Sequence, residues 1–216
     1  MWLALSGTAG RHSYIHDDSW DLAHGVDTAG TVAIDELTTP EHGKSGAVRY
    51  EPTPSECFTF LVAESRVDSP SEYTLIDLGS GKGRVVLLAG LAGFKRAIGV
   101  EFGEELHEVA CRNIQAMKAR LLPAEVTSVR GDARSYRFPP EPTICFLNNP
   151  FSAETLTAVL NIIEMSLQHH PRPFIMIYYH SNHAEVLDGR DGWQAVSKGC
   201  WQDESHHFAI YRWNHQ

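Results

Sequence analysis

Thr74-Leu-Ile-Asp77-Leu-Gly79-Ser80-Gly81-Lys82-Gly83-Arg84 decides the fold: a short apolar run enters three alternating glycines and continues into a helical stretch, Arg84 to Leu91. A buried strand that ends in a glycine turn at a helix N-terminus is the opening of a parallel strand-helix-strand unit. Downstream the alternation continues. Ala97 to Glu101 reads as a second strand, and Glu104 to Arg120 as a helix with Leu106, Val109, Ala110, Ile114 and Met117 at helical spacing. Glu125 to Arg130, Thr143 to Leu147 and Phe174 to Tyr179 read as further strands, with a helix from Ala153 to Gln168. Trp193 to Lys198 and Phe208 to Trp213, joined by a short polar loop, suit an antiparallel pair. Repeated strand and helix signals of this kind predict an α/β, Rossmann-like, doubly wound and mostly parallel sheet.

Upstream, the first 55 residues hold Pro40, Pro52, Pro54, many Asp and His, and no sustained period. They read as an N-terminal arm or lid, residues 1–55, before a single domain at residues 56–216. A chain of 216 residues suits one such core, and 43% hydrophobic with 21% charged residues is ordinary globular composition. No apolar stretch reaches the ~20 residues that a membrane span needs. Met1-Trp-Leu-Ala-Leu lacks the positive start of a secretory signal, so a cytoplasmic protein is expected. Cys57, Cys111, Cys145 and Cys200 are scattered, without zinc-ligand spacing. Twelve histidines include His169-His170 and His206-His207, yet none lies in an HExxH pattern, and no metal is expected. The formal charge of -9 gives no electrostatic reason to approach phosphates, so nucleic acid is expected to be a disfavoured partner.

Glycines at the strand-helix turn let a ligand approach the main chain. Gly79, Gly81 and Gly83 follow GxGxG spacing, whereas a nicotinamide-binding turn follows GxGxxG and receives a pyrophosphate. Asp77 would repel that pyrophosphate. A carboxylate there suits the cationic amino-acid end of S-adenosylmethionine, and the segment resembles motif I of the class I S-adenosylmethionine-dependent methyltransferases. Glu101, at the second strand end, can accept hydrogen bonds from both ribose hydroxyls. Arg130-Gly-Asp132-Ala133 resembles the family segment whose acid meets the adenine amine, and Leu147-Asn148-Asn149-Pro150-Phe151 resembles its motif IV.

In nitrogen methyltransferases motif IV often runs Asn or Asp, Pro, Pro, aromatic, and its amide or acid oxygen aims the lone pair of an acceptor amine. Here Asn149 replaces the first proline; Asn148 holds the first position and Phe151 the aromatic one. Arg49-Tyr50-Glu51-Pro52-Thr53-Pro54 is similar to a segment preceding motif I in several such enzymes, which places Tyr50 and Thr53 near the methionine end. From Gly25-Val-Asp-Thr28 to Phe151 the chain resembles a bacterial family with Gly-Val-Asp-Thr, Tyr-x-Pro-Thr-Pro, Asp-Leu-Gly-x-Gly-Lys-Gly-Arg and Asn-Pro-Phe, whose substrates are undefined.

The resemblance implies seven strands, the last antiparallel, and S-adenosyl-L-methionine as cofactor. It implies a cofactor-lining set of Tyr50, Thr53, Asp77, Gly79, Ser80, Gly81, Gly83, Glu101, Phe102, Asp132, Ala133 and Asn148. Asn148, Pro150 and Phe151 are the expected acceptor-side residues, with His180, just past the fifth strand, as a candidate general base. Lys82 and Arg84 read as solvated or helix-start side chains. The expected activity is methyl transfer to a nitrogen of a protein side chain or small metabolite. Oxygen methylation of a small molecule and a non-catalytic binding module are the alternatives, and the glycine spacing disfavours a nicotinamide dehydrogenase.

Overall fold

The structure is a computed structural model, and it describes residues 18–37 and 49–214. Helices α1 (Asp18–His24) and α2 (Ser55–Glu64) precede the sheet. The remaining elements are β1 (Thr74–Leu78), α3 (Arg84–Leu91), β2 (Arg96–Glu101), α4 (Glu104–Leu121), β3 (Glu125–Arg130), β4 (Thr143–Asn148), α5 (Ala153–His169), β5 (Phe174–Tyr179), α6 (Ala184–Asp188), β6 (Trp193–Cys200) and β7 (His207–Trp213). One seven-stranded sheet runs in the order β3-β2-β1-β4-β5-β7-β6. Pairing is parallel from β3 through β5, and β7 is antiparallel to both β5 and β6.

Period-two alternation in the central strands sorts the core into two layers. Ile76, Leu78, Cys145, Leu147, Met176 and Tyr178 face α5, which contributes Leu156, Val159, Leu160 and Ile163. Leu75, Ile144, Phe146, Ile175 and Ile177 face the other way, onto Phe58 and Leu61 of α2 and Val85, Val86 and Ala89 of α3. Each such side chain contributes roughly 1.5–3 kcal/mol on full burial, so the central strands fix the register of the whole sheet. Asp77 shares the parity of Leu75 and therefore lies on the α3 side, where no apolar partner can satisfy it.

The short α1 and α6 lack the length for a detectable period and were not expected from the pattern. On α4, Asn113 is buried among the apolar positions, and its partners explain why below. The start of the expected arm, Met1 to Asp17, and residues 38–48, which include Pro40, lie outside the described residues. No helix among the described residues is long and apolar enough to cross a membrane. The four cysteines are free, Cys57 and Cys145 buried and Cys111 and Cys200 exposed.

Candidate active site

The order of the sheet reverses between β1 and β4, and at such a switch point the loops leaving the two carboxyl ends diverge and leave a crevice. A cleft opens there. Its walls bring together Gly79, Gly81, Glu101, Phe102, Asp132, Ala133, Asn148, Pro150 and Phe151, which are residues of four successive strand ends, with Tyr50 from the segment before α2. A smaller adjoining recess holds Asp77, Thr53 and Ser80, and shares Tyr50, Gly79 and Asn148 with the cleft. Gly83 and His180 line neither.

Two glycines of the turn have a steric reason to be glycine. Gly79 has φ +78°, and a Cβ there would stand 2.6 Å from Cβ of Pro150, so the first turn and the fourth strand end touch. At Gly81, φ +53°, a Cβ would stand 2.0 Å from Cδ2 of Tyr50. The Tyr50 ring therefore lies directly on the turn. Gly83 is the left-handed cap of α3. Ser80 turns its hydroxyl away from the cleft toward Gly99.

Asp77 is 3% exposed, and burial together with the nearby Glu101 carboxylate raises its pKa well above the ordinary range. No hydrogen bond from a described residue relieves it. Glu101, equally buried, is also pushed up by burial, but its two oxygens accept from the backbone N–H groups of Gly81 and Gly103, each at 2.8 Å. Each oxygen retains a second lone pair for a ligand. Two adjoining buried carboxylates attract a cation and repel a phosphate.

At the third strand end Asp132 caps a short 3-10 turn through the Arg134 N–H (2.8 Å) and pairs with the Arg134 guanidinium at 2.6 Å. At the fourth, the two asparagines part. Asn148 Nδ2 donates to the Glu51 carbonyl (3.0 Å) and the Thr53 hydroxyl (3.2 Å), while Oδ1 accepts from His180 Nδ1 at 3.0 Å. Asn149, at φ +42°, accepts from the Tyr178 hydroxyl at 3.0 Å and is not part of the cleft wall. His180 stacks on Tyr179 at 3.9 Å, and burial lowers its pKa to about 4. It is thus a neutral donor to Asn148 at neutral pH, poorly matched to proton abstraction.

Lys82 and Arg84 are not solvated. Arg84 is 1% exposed and pairs with Asp21 (3.1 Å), and Lys82 pairs with Asp27 at 2.8 Å. Asn113 joins the same group, exchanging hydrogen bonds with the backbone of Asp27 (2.9 and 2.8 Å) and donating to the Lys82 carbonyl. Cleft residues absent from the expected set include Ile34, Arg49, Glu51, Leu106, Arg134 and Thr155. Thr155 was within reach of sequence reasoning, because it sits in the first helical turn after the fourth strand end; Ile34 carries no local signal. Among the described residues no group of three or more His, Cys, Asp or Glu is placed to hold a metal ion.

Comparison with solved structures places this architecture. A precorrin-6y C5,15-methyltransferase from Geobacter metallireducens superposes with TM-score 0.58 at 15% identity, over 84% of this chain and 95% of that one. An RNA methyltransferase from Salinibacter ruber, crystallised with S-adenosyl-L-homocysteine, gives 0.51 at 22% identity over 75% and 92%. Magnesium protoporphyrin IX methyltransferase from Synechocystis, with bound S-adenosylmethionine, gives 0.50 at 17% identity over 73% and 75%. The fold is that of the class I methyltransferases. No protein-family model matches the chain, and no curated protein matches it.

One expectation is corrected by these neighbours. The net charge of -9 was read as disfavouring nucleic acid, but the same fold serves an RNA methyltransferase and a protein described as a tRNA (m1A22) methyltransferase from Streptococcus pneumoniae (TM-score 0.51, 15% identity). Net charge sums the whole surface, whereas phosphate contact depends on the local arrangement of a few side chains.

Proposed function

We propose that this chain is an S-adenosylmethionine-dependent methyltransferase acting on a nitrogen nucleophile. The observation that carries the reading is the buried Asp77 carboxylate, without a hydrogen-bonding partner among the described residues and beside a second buried acid. A ligand with an aminium group relieves that pair, and a dinucleotide pyrophosphate aggravates it. Asp77 is assigned to the methionine amino group, directly or through water, and Glu101 to the ribose hydroxyls. Phe102, Asp132 and Ala133 would hold the adenine end of the cofactor, and Tyr50, Thr53, Gly79 and Gly81 its methionine end. When bound, the cofactor supplies a sulfonium-activated methyl group.

On the acceptor side Asn148 does the orienting. With one lone pair of Oδ1 held by His180, the other is left to accept from an acceptor N–H. Phe151 and Pro150 form the apolar wall beside it. Nitrogen is favoured over oxygen because oxygen methylation needs a general base, and His180 is both hydrogen-bonded through Nδ1 and lowered to about pKa 4. Residues 1–55 are read as an arm serving a methyltransferase domain of residues 56–216, supported by Ile34, Tyr50 and Glu51 in the cleft wall. A cytoplasmic setting fits four cysteines that form no disulfide.

The testing experiment supplies methyl-labelled S-adenosylmethionine with protein, small-metabolite and RNA fractions of a cell extract. Label that appears in one fraction on nitrogen, and disappears with Asn148→Ala, supports the reading. Label on oxygen overturns the nitrogen assignment, and cofactor binding without any transfer leaves a binding module.

A further inference from the structure

Tyr178 is 1% exposed and lies in the core layer under α5, where a phenyl ring would fill the same space. Its hydroxyl nonetheless has two partners. It donates to Asn149 Oδ1 at 3.0 Å, and the N–H of His183 is turned to the same hydroxyl oxygen. Burial raises the Tyr178 pKa to about 12, so the group keeps its proton and remains a donor. It thereby joins the loop leaving β4 to the loop leaving β5. Both loops are bent by left-handed residues other than glycine, Asn149 at φ +42° and His180 at φ +47°. A second tie runs between the same two strand ends, from His180 Nδ1 to Asn148 Oδ1 at 3.0 Å. Tyr178 itself does not line the cleft.

We propose that Tyr178 is a positioning residue for methyl transfer, acting through Asn149 to hold Pro150 and Phe151 in the acceptor wall. This rests on the methyltransferase reading of the cleft. Asparagine tolerates the left-handed region better than most residues, but any residue before proline is pushed toward extended backbone. Asn149 stands before Pro150, so its local preference opposes the conformation it holds. Such strain persists where the surroundings over-determine it. The Tyr178 hydroxyl supplies that constraint on the Asn149 side chain. Next along the chain, Pro150 rests on the glycine turn, its Cβ 2.6 Å from where a Cβ at Gly79 would stand. Phe151 follows, packed against the same core layer as Tyr178, and Ser152 then caps α5. Released from Tyr178, Asn149 relaxes toward extended backbone and carries Pro150 and Phe151 out of line with Asn148. Asn148 keeps its own ties to Glu51, Thr53 and His180, so the loss falls on the acceptor wall rather than on the cofactor side.

Transfer of label from methyl-labelled S-adenosylmethionine to the responding cell-extract fraction, set against S-adenosylhomocysteine affinity, separates positioning from a simple loss of rigidity. Tyr178→Phe, which keeps the buried ring, is expected to lower transfer about tenfold at saturating cofactor, with S-adenosylhomocysteine affinity within about threefold of wild type. Asn149→Ala, at a half-buried loop position, is expected to do the same. Because the two side chains act as a unit, Tyr178→Phe/Asn149→Ala should again lose about tenfold rather than about a hundredfold. Asn149→Gly enters the left-handed region without a side-chain tie, so it should lose less than Asn149→Ala, and adding Tyr178→Phe to it should cost little more. Folding is followed by circular dichroism. Unchanged transfer in folded Tyr178→Phe, losses that multiply in the double variant, or S-adenosylhomocysteine affinity falling in step with transfer would overturn the inference alone. Equal transfer by Asn149→Ala and Asn149→Gly would do so too, whether or not Tyr178→Phe folds. A wild type that transfers no label, with or without binding S-adenosylhomocysteine, would overturn the functional reading, and this inference with it.

Discussion

The two halves of the cleft are built on opposite principles. On the β1–β2 side, Asp77 is buried and unrelieved, Glu101 keeps spare lone pairs, and Gly79 and Gly81 keep the main chain bare. On the β4–β5 side the polar groups are already joined to the protein: Asn148 to Glu51, Thr53 and His180, and Asn149 to Tyr178. An unrelieved acid stores a preference for one kind of ligand charge, whereas a satisfied amide stores a direction. We read the first half as the cofactor side and the second as the acceptor side, so substitutions in the two halves should separate binding from turnover.

The largest effect should come from the bare turn. Gly81→Ala drives a methyl group into the Tyr50 ring at a left-handed φ, and is expected to weaken S-adenosylhomocysteine binding by about a hundredfold or more, measured by calorimetry. If binding survives, the turn does not form the cofactor side. Asn148→Ala should do the reverse, lowering methyl transfer by about a hundredfold while S-adenosylhomocysteine affinity stays within about threefold. A parallel loss of both would merge the two halves into one.

A subtler difference lies in pH. The raised pKa of Asp77 means that the ligand-free carboxyl holds its proton above the ordinary carboxylate range, and that stability falls as pH rises through that window. Binding an aminium requires the ionised form, so affinity for S-adenosylhomocysteine should rise with pH across the titration, with proton release seen as buffer-dependent heat. Asp77→Asn should abolish this dependence and raise the melting temperature of the ligand-free protein near neutrality. On the acceptor side the sign is inverted. His180, lowered from 6.5 to about 4, should make the protein lose stability as pH falls from about 6.5 toward 4, because the unfolded chain takes up the proton first. His180→Gln should flatten that acid limb of the melting curve, the smallest of these effects.

Much of the scaffold was legible because apolar period and glycine placement are local signals. β1, α3, β3 and β5 have the bounds read from the pattern, and β6 runs past the expected Lys198 to Cys200, paired there with His207 of β7. The gathering of Asp77, Glu101, Asp132 and Asn148 at one sheet edge follows from their strand-end positions. What stayed hidden was long-range and polar. Arg84 and Asp21 are 63 residues apart, and Asn113 meets Asp27 across 86, so neither pairing leaves a periodic trace. The turning of Asn149 toward Tyr178 depends on a left-handed backbone that an Asn-Asn-Pro string permits without dictating.

Titration of wild-type and Asp77→Asn protein with S-adenosylhomocysteine and with NAD tests the central claim most directly. Saturable binding of S-adenosylhomocysteine near one equivalent, at least about tenfold weaker in Asp77→Asn, and no binding of NAD, is the predicted result. Binding of NAD in preference, or no S-adenosylhomocysteine binding by folded wild-type protein, would contradict it.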